Sequence, residues 1–248
     1  MSKCLIVTGG GRGIGAEVSR KAAKQGYSVC VNFHRDQASA QKLVRELEKE
    51  GANAIAYQAD VSQEEEVEAL FQTVEKDLGT PEALVNNAGI LDLQTRVDGM
   101  NAERIQRIFA VNVTGSFLCA REAVKRMSTK YGGKGGSIVN LSSGAAKYGS
   151  PGEYVDYAAS KAAIDTLTIG LAKEVAEEGI RVNAVRPGFI DTEIHQSGGE
   201  PDRMERVRPL VPMKRVGQAE EVADAIMWLL SDKASYTTGT ILDVSGGR

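Results

Sequence analysis

The segment Leu5-Ile-Val-Thr-Gly-Gly-Gly-Arg-Gly-Ile-Gly15 joins a short apolar run to a cluster of glycines. An apolar run that stops at glycines is typical of a buried strand ending in a turn, and the residues that follow, up to Gln25, predict a helix. Glycine permits positive φ, and its missing side chain lets backbone N–H groups approach a pyrophosphate at the positive end of the helix dipole. The strand–turn–helix order therefore favours a dinucleotide-binding turn over a purely structural one.

The glycines of this turn have a distinctive spacing. Gly9, Gly13 and Gly15 form Gly-x-x-x-Gly-x-Gly, which differs from the Gly-x-Gly-x-x-Gly of the common Rossmann fingerprint. No Lys-Ser or Lys-Thr pair marks a P-loop. We expect these residues of the turn to bind the cofactor: Gly9, Gly11, Arg12, Gly13, Ile14 and Gly15.

Strands and helices alternate along the rest of the chain. Near-continuous apolar runs predict further strands at residues 29–33, 54–57, 83–85, 137–141, 180–185 and 240–244. Helical periodicity predicts helices over residues 37–50, 101–130, 156–178 and 219–230, and one that begins at a capping box formed by Ser62 and Glu65. This pattern predicts an α/β fold, a doubly wound parallel sheet with helices on both faces.

Length and composition narrow the classes of protein. The 248 residues predict one dinucleotide-binding domain over 1–248, and the irregular segment 192–217 predicts a substrate-binding loop within it. With 30 basic and 33 acidic residues, the chain lacks the basic footprint of a nucleic-acid-binding protein, and no apolar run is long enough to span a membrane. Three cysteines among apolar neighbours predict buried, reduced thiols in a cytoplasmic protein, and no Cys/His cluster predicts a metal site.

Six motifs occur in a fixed order along the chain. They are the Thr8–Gly15 turn, Asn86-Asn-Ala-Gly89, Asn112, Ser142-Ser143, Tyr157-Ala-Ala-Ser-Lys161 and Pro187-Gly188. In this order they resemble the short-chain dehydrogenase/reductase family, in its single-domain branch, over essentially the whole chain. Residues 149–157 are similar to a bacterial glucose-dehydrogenase-like subgroup. The resemblance implies about seven strands in the order 3-2-1-4-5-6-7, with the ligand at the carboxyl ends of the strands.

The resemblance also implies a nicotinamide dinucleotide cofactor. NAD-preferring relatives carry an acid at the position of Phe33, where it would bind the ribose 2′-hydroxyl. Because that acid is missing while Arg12 and Arg35 lie nearby in sequence, we expect NADP(H) to be preferred, although both arginines also fit a solvated surface. The further cofactor contacts implied are Asn32, His34, Asp60, Val61, Asn87, Ala88, Gly89, Tyr157, Lys161, Pro187, Gly188, Ile190 and Thr192. Asp60 alternatively serves only as a turn residue, and His34 only as a surface residue.

Tyr157 and Lys161 are four residues apart on a predicted helix, so their side chains share one face. Free tyrosine titrates near ~10, and a neighbouring ammonium lowers that value toward a working acid or base. By resemblance, Ser143 orients the substrate carbonyl, with Ser142 as a structural hydroxyl or fallback. Asn112 by resemblance holds a water chain behind Lys161, and alternatively satisfies backbone groups inside its helix.

These observations predict reversible hydride transfer between NADP(H) and a carbonyl or secondary alcohol. A catalytically silent dinucleotide sensor or scaffold is the alternative, although such a protein is expected to lose Tyr157 or Lys161. A sugar epimerase or dehydratase is a second alternative, but such proteins are usually longer and have a different glycine spacing. Candidate substrate contacts are Tyr148, Tyr154, His195, Met204 and Met213, and the basic residues Arg203, Arg206 and Arg208 either hint at an anionic substrate or form a solvated face.

The predicted helices over 101–130 and 156–178 carry more apolar residues than one sheet contact can bury. Spare apolar surface on two helices predicts a two-fold interface in which each helix pairs with its mate. Relatives assemble in this way and add a second contact, which implies a homotetramer, with a dimer as the alternative.

Overall fold

The fold was taken from a computed structural model, which describes residues 2–192 and 203–248. Its strands are β1 (Cys4–Val7), β2 (Ser28–Phe33), β3 (Ala54–Gln58), β4 (Pro81–Asn86), β5 (Gly136–Leu141), β6 (Ile180–Pro187), β7 (Ile190–Asp191), β8 (Gly217–Gln218) and β9 (Ile241–Val244). Seven of them form one sheet in the order β3-β2-β1-β4-β5-β6-β9, and every pair is parallel. The predicted Rossmann-type sheet and its strand order are thus confirmed. Strands β7 and β8 form a separate two-stranded sheet.

Helices cover both faces of the sheet. They are α1 (Gly13–Lys24), α2 (Gln37–Lys49), α3 (Glu64–Asp77), α4 (Ala102–Phe109), α5 (Gly115–Met127), α6 (Ala145–Tyr148), α7 (Val155–Val175), α8 (Arg203–Val207) and α9 (Ala219–Leu230). Buried residues of α1, α2 and α9 form one apolar core with the sheet, and those of α3, α5 and α7 form a second on the opposite face. Among the helices described, none is both long and apolar enough to cross a membrane.

Two local predictions are wrong. The helix predicted over 101–130 is interrupted between α4 and α5 by a π-helical segment, Ala110–Thr114. The capping box predicted at Ser62 and Glu65 is absent, because α3 begins at Glu64 and its N-cap, Gln63, makes no side-chain capping bond. Ser62 instead donates from its backbone N–H and its hydroxyl to Asp60 Oδ1, at 2.9 and 2.8 Å.

The order of the strands fixes where a ligand can bind. From β1 the chain crosses to β2 on one side, and it later returns to β4 on the other side of β1. Crossover connections therefore diverge above the carboxyl ends of β1 and β4, which leaves a crevice at that edge of the sheet. The glycine-rich turn after β1 and the Asn-Asn-Ala-Gly motif after β4 both start at this crevice.

Candidate active site

The glycine-rich turn needs glycine at three positions for two different reasons. Gly9 and Gly13 have φ of +59° and +53°, a region that side-chain-bearing residues rarely adopt. A Cβ on Gly15 would lie 2.6 Å from Asn87 Nδ2 and 2.6 Å from the Gly9 carbonyl oxygen. The turn is thus shaped by the conformation of Gly9 and Gly13 and by the close approach of Asn87 to Gly15.

Gly11 and Gly13 of the same turn have different neighbours. A Cβ on Gly11 would lie 3.2 Å from the backbone nitrogen of Ala40, so Gly11 is where α2 packs on the turn. A Cβ on Gly13 would meet nothing closer than Thr192, at 3.6 Å. Gly13 and Thr192 therefore lie beside each other at the N-terminus of α1, the end of a helix at which proteins often bind phosphate groups.

Thr8 and Asn87 join the ends of β1 and β4. Thr8 Oγ1 accepts hydrogen bonds from the backbone N–H of Asn87 and of Ala88, each at 3.0 Å. Asn87 Nδ2 donates to the carbonyl oxygens of Thr8 and Gly9, at 2.9 and 3.0 Å. Asn86 donates to Ser116 O and Asn140 Oδ1 and so ties β4 to α5 and β5.

Asn32 supports the turn through its side chain. Its Oδ1 accepts from the Gly9 backbone N–H at 3.3 Å, and its Nδ2 donates to the carbonyl oxygens of Tyr57 and Ala59, at 3.3 and 3.0 Å. Asn32 is buried, so its amide holds the turn from within the protein and not from the solvent side.

The residues predicted to contact the adenosine, His34 and Asp60, follow the ends of β2 and β3. His34 Nε2 is 3.6 Å from Asp60 Oδ2, and both side chains reach solvent. Asp60 also orders the turn through Ser62, so its turn role is present whatever it binds. Val61 is buried against Gly115, where a Cβ would lie 2.7 Å from Val61 Cγ2.

The region expected to receive the 2′-substituent contains a carboxylate that sequence reasoning missed. Phe33 is buried at the end of β2, whereas Arg12 and Arg35 are exposed. Asp36 caps α2 by accepting from the Ser39 backbone N–H at 3.1 Å. Hydrogen bonds from Ser39, and more weakly the charge of Arg12, hold the pKa of Asp36 below its usual value. The Asp at a predicted helix start was the available signal.

Tyr157 and Lys161 lie on α7, and both line one cavity. Lys161 is buried, with its Nζ 5.7 Å from the centroid of the Tyr157 ring and donating to the Leu141 carbonyl oxygen at 2.6 Å. Burial lowers the pKa of Lys161 to about 8, and attraction to Asp165 opposes that shift. The spacing of the two residues on one helix thus brings a phenol and a desolvated amine together, as predicted from the sequence.

Asn112 lies in the π-helical segment and is fully buried. Its Oδ1 accepts from the Ile90 backbone N–H at 2.8 Å, and its Nδ2 donates to Ile90 O and Ser160 Oγ, at 2.9 and 3.0 Å. A Cβ on Gly89 would lie 3.5 Å from both Asn112 Oδ1 and Lys161 Nζ. The glycine therefore leaves space between the amide and the amine, and π-helical turns are often found at functional sites.

The two serines after β5 have different surroundings. Ser142 is buried, and its hydroxyl donates to the Lys161 carbonyl oxygen at 3.2 Å. Ser143 Oγ accepts from the Ala145 backbone N–H at 3.2 Å, which leaves its hydroxyl hydrogen available at the cavity. The chain between α6 and α7 turns through positive φ at Gly149, Ser150 and Gly152.

A buried ion pair fixes the start of α7. Arg104 Nε donates to Asp156 Oδ2 at 2.6 Å, and Arg104 Nη1 donates to Leu93 O at 2.5 Å. Asp156 Oδ1 in turn accepts from the Tyr157 backbone N–H at 2.9 Å. Sequence reasoning missed this pair because an Arg and an Asp 52 positions apart carry no periodic signal.

A cavity of about 380 Å³ extends from Lys161 to the chain after β9. Of the predicted substrate contacts, Tyr148, Tyr154 and Arg206 line it, together with Pro187, Gly188, Ile190 and Thr192. The described lining does not include Met204, Met213 or Arg208, and His195 and the side chain of Arg203 lie outside the described residues. Lining residues that sequence reasoning missed include Glu153, Phe189, Leu210 and Arg248.

The parallel sheet, the glycine-rich turn before α1 and the Tyr–Lys pair on α7 are the features that the comparison with known proteins has to match. Comparison with known proteins gives the class: a family model described as enoyl-(acyl carrier protein) reductase matches residues 9–248. The chain belongs to the short-chain dehydrogenase/reductase family. That family implies a nicotinamide dinucleotide cofactor and a small-molecule substrate.

Individual relatives cover nearly the whole chain. It is 57% identical over 243 residues to an uncharacterised oxidoreductase, YgfF, of Escherichia coli (strain K12), covering 98% of each chain. It is 41% identical over 246 residues to 3beta-hydroxysteroid dehydrogenase 1 of Eggerthella lenta, covering 99% of this chain and 93% of the relative. It is 38% identical over 245 residues to glucose 1-dehydrogenase 2 of Bacillus subtilis (strain 168), covering 99% and 94%. The protein is accordingly an oxidoreductase that acts on CH–OH or C=O groups.

Proposed function

We propose that the protein transfers hydride reversibly between NADP(H) and a carbonyl or secondary alcohol, with Tyr157 as the acid and base. The observation that carries this proposal is the arrangement of Tyr157 and Lys161 on α7, both lining one cavity with Ser143. The nicotinamide, when bound, supplies the hydride in reduction and accepts it in oxidation.

Proton transfer belongs to Tyr157. In reduction its phenol gives a proton to the substrate oxygen, while the hydroxyl of Ser143 donates a hydrogen bond to the same oxygen. In oxidation the phenolate takes the proton from the alcohol. Ser143 suits this role better than Ser142, since the Ser142 hydroxyl already donates to Lys161 O.

Lys161 tunes the acid. A positive charge beside the phenol favours the phenolate and so lowers the pKa of a tyrosine toward neutral pH. The buried amine, with a pKa of about 8, is mostly protonated at pH 7. The same amine binds the nicotinamide ribose in this proposal, and Asn112 with water in the space beside Gly89 returns the proton.

NADP(H) is proposed over NAD(H). Support comes from Phe33 at the end of β2, where an acid would repel a phosphate, and from the exposed Arg12 and Arg35. Asp36 is the side chain that opposes this preference, and its partial neutralisation by Arg12 limits the opposition. Gly9, Gly13, Asn87 and Thr192 would hold the dinucleotide along the crevice.

The assembly and the compartment of the protein are part of the same proposal. We propose one domain over residues 1–248, with 192–217 as its substrate loop, in a homotetramer or its constituent dimer. Large apolar side chains remain exposed on α4, α5 and α7, where Ile105, Phe117 and Ile169 are 38%, 49% and 40% accessible. Three unpaired, buried cysteines support the cytoplasm as the compartment.

Tyr157→Phe tests the chemistry because it removes the hydroxyl alone. We expect turnover to fall about a hundred- to ten-thousandfold, while the affinity for NADPH, measured by fluorescence titration, stays within about twofold. Tyr131→Phe, on an exposed ring away from the cavity, is the matched control. Near-normal turnover by Tyr157→Phe would contradict the mechanism. A wild-type protein that binds NADPH but reduces no carbonyl compound would favour the sensor alternative.

A further inference from the structure

The chain after β9 turns back onto the cavity through residues 245–248. Gly246 and Gly247 have φ of +64° and +92°, and Gly246 O accepts from the Met213 backbone N–H at 3.1 Å. A Cβ on Gly246 would lie 2.8 Å from Val211 Cγ1, so the turn packs closely on the segment before β8. These contacts fix the backbone just before Arg248, and the side chain of Arg248 lines the cavity.

Two aromatic rings hold the guanidinium of Arg248. Its Cζ lies 4.6 Å from the centroid of the Phe189 ring and 5.1 Å from that of Tyr148. Its Nη1 is buried and has no hydrogen-bond partner among the described residues. A guanidinium stacked on aromatic faces still presents its N–H groups at its edge, so a buried donor without a partner points to a missing acceptor.

The charges of the described cavity wall identify the kind of acceptor. Its charged residues are Glu153, Lys161, Arg206 and Arg248. Arg206 Nη2 donates to Glu153 Oε1 at 3.1 Å, so those two charges offset each other. Lys161 is assigned to the cofactor ribose and to Tyr157. Among the side chains of the described lining, the guanidinium of Arg248 is thus the positive charge left for the substrate, and it matches a singly charged group better than a phosphate.

We propose that Arg248 binds the carboxylate of an oxo-acid or hydroxy-acid substrate, an inference that rests on the carbonyl chemistry proposed above. Tyr148 links this subsite to the reacting carbonyl, because a Cβ on Gly144, next to Ser143, would lie 3.5 Å from Tyr148 Cε2. Tyr148 thus touches both the guanidinium of Arg248 and the chain beside Ser143. A carboxylate on a short carbon chain would satisfy Arg248 while the carbonyl reaches Ser143 and Tyr157.

The first experiment measures binding without turnover. Pentanoate and pentanamide differ in charge but little in shape, and both lack a ketone. Titrated calorimetrically into the NADP(H)-loaded protein, pentanoate is expected to bind about tenfold or more tightly than pentanamide. Arg248→Gln should abolish that difference, Arg248→Lys should retain part of it, and Arg45→Gln, an equal loss of charge on the exposed face of α2, should preserve it.

The second experiment measures kcat/KM for straight-chain oxo acids with one to four methylenes between the two groups, each against its methyl ester. Dihydroxyacetone phosphate against dihydroxyacetone supplies the phosphate arm. Wild type should prefer the acid over the ester about tenfold or more, with Arg248→Gln equalising the two by losing activity on the acid alone. Equal binding of pentanoate and pentanamide, an ester preference in wild type, or a larger gain from phosphate than from carboxylate would each overturn the inference.

The two proposals fail in distinguishable ways. Carboxylate binding that depends on Arg248, without reduction of any compound in the panel, would refute the proposed chemistry and leave the anion subsite intact. Turnover of neutral ketones with no discrimination for charge would refute the subsite and leave the chemistry intact. Thermal melting of Arg248→Gln against wild type checks that the variant is folded.

Discussion

Replacing Lys161 with methionine should stabilise the protein without its cofactor while destroying activity. Lys161 is 4% exposed, and burial lowers its pKa from the usual 10.5 to about 8. The unfolded chain therefore binds a proton more readily than the folded protein does, and the bound proton favours unfolding at neutral pH. The shift corresponds to roughly 3 kcal/mol of destabilisation at pH 7. Methionine has a similar length and no charge to desolvate.

The sign of the pH dependence follows from the lowered pKa. Between pH 8 and 10.5 the unfolded chain keeps the proton that the folded protein has lost, so the stability of wild type rises with pH in that window. The difference in the free energy of unfolding between Lys161→Met and wild type should consequently shrink by about 2 kcal/mol between pH 7 and pH 9.5.

Denaturant unfolding of wild type and variant at both pH values, without cofactor and at equal protein concentration, measures this difference. Lys173→Met, on the exposed side of the same helix, is the matched control and should show a difference that does not change with pH. Parallel stability curves for wild type and Lys161→Met would refute the reasoning, since they would mean that the buried amine is not desolvated.

Three further predictions concern other parts of the molecule. Arg104→Met should lower the free energy of unfolding by about 3–5 kcal/mol because it leaves Asp156 buried and unpaired, and adding Asp156→Leu should recover part of that loss in the same denaturation assay; additive losses would contradict the pair. Arg12→Gln should weaken NADPH binding about tenfold and leave NADH binding unchanged, as measured by fluorescence titration; an equal effect on both would argue against a phosphate contact. Phe117→Glu should lower the mass measured by light scattering relative to wild type, and an unchanged assembly would exclude this face of α5 as an interface.

The features that the sequence predicted correctly depend on local pattern. Apolar runs that alternate with segments of helical periodicity predict parallel strands. The strand order, in which the chain returns to the other side of β1, follows from the resemblance to the family. Tyr157 and Lys161 meet because a spacing of four places side chains on one helical face whatever surrounds the helix. The positive φ of Gly13 likewise fits the glycine that the sequence places at the start of α1.

The features that the sequence did not predict depend on contacts distant along the chain. The π-helical segment at Asn112 is accompanied by hydrogen bonds from its amide to Ile90 and Ser160, and nothing in the periodicity of residues 101–130 marks those partners. Arg248 lines the cavity, and the turn before it packs on Val211 and Met213, which are more than thirty residues away along the chain. Helix α3 begins at Glu64, after Ser62, and Ser62 donates to Asp60 where the predicted capping box would have used its hydroxyl.

Helix α7 shows why such distant contacts gather around the site. A desolvated ammonium at Lys161 favours any motion that returns it to water, so the helix that carries it must be held on both sides. On the N-terminal side, Asp156 pairs with Arg104 at 2.6 Å; on the C-terminal side, Asp165 accepts from Arg186 Nη2 at 2.6 Å. Both carboxylates lie on α7 itself, within five residues of the amine. We infer that these two ion pairs restrain the motion that the buried charge favours, which keeps the side chains of Tyr157 and Lys161 at the cavity wall.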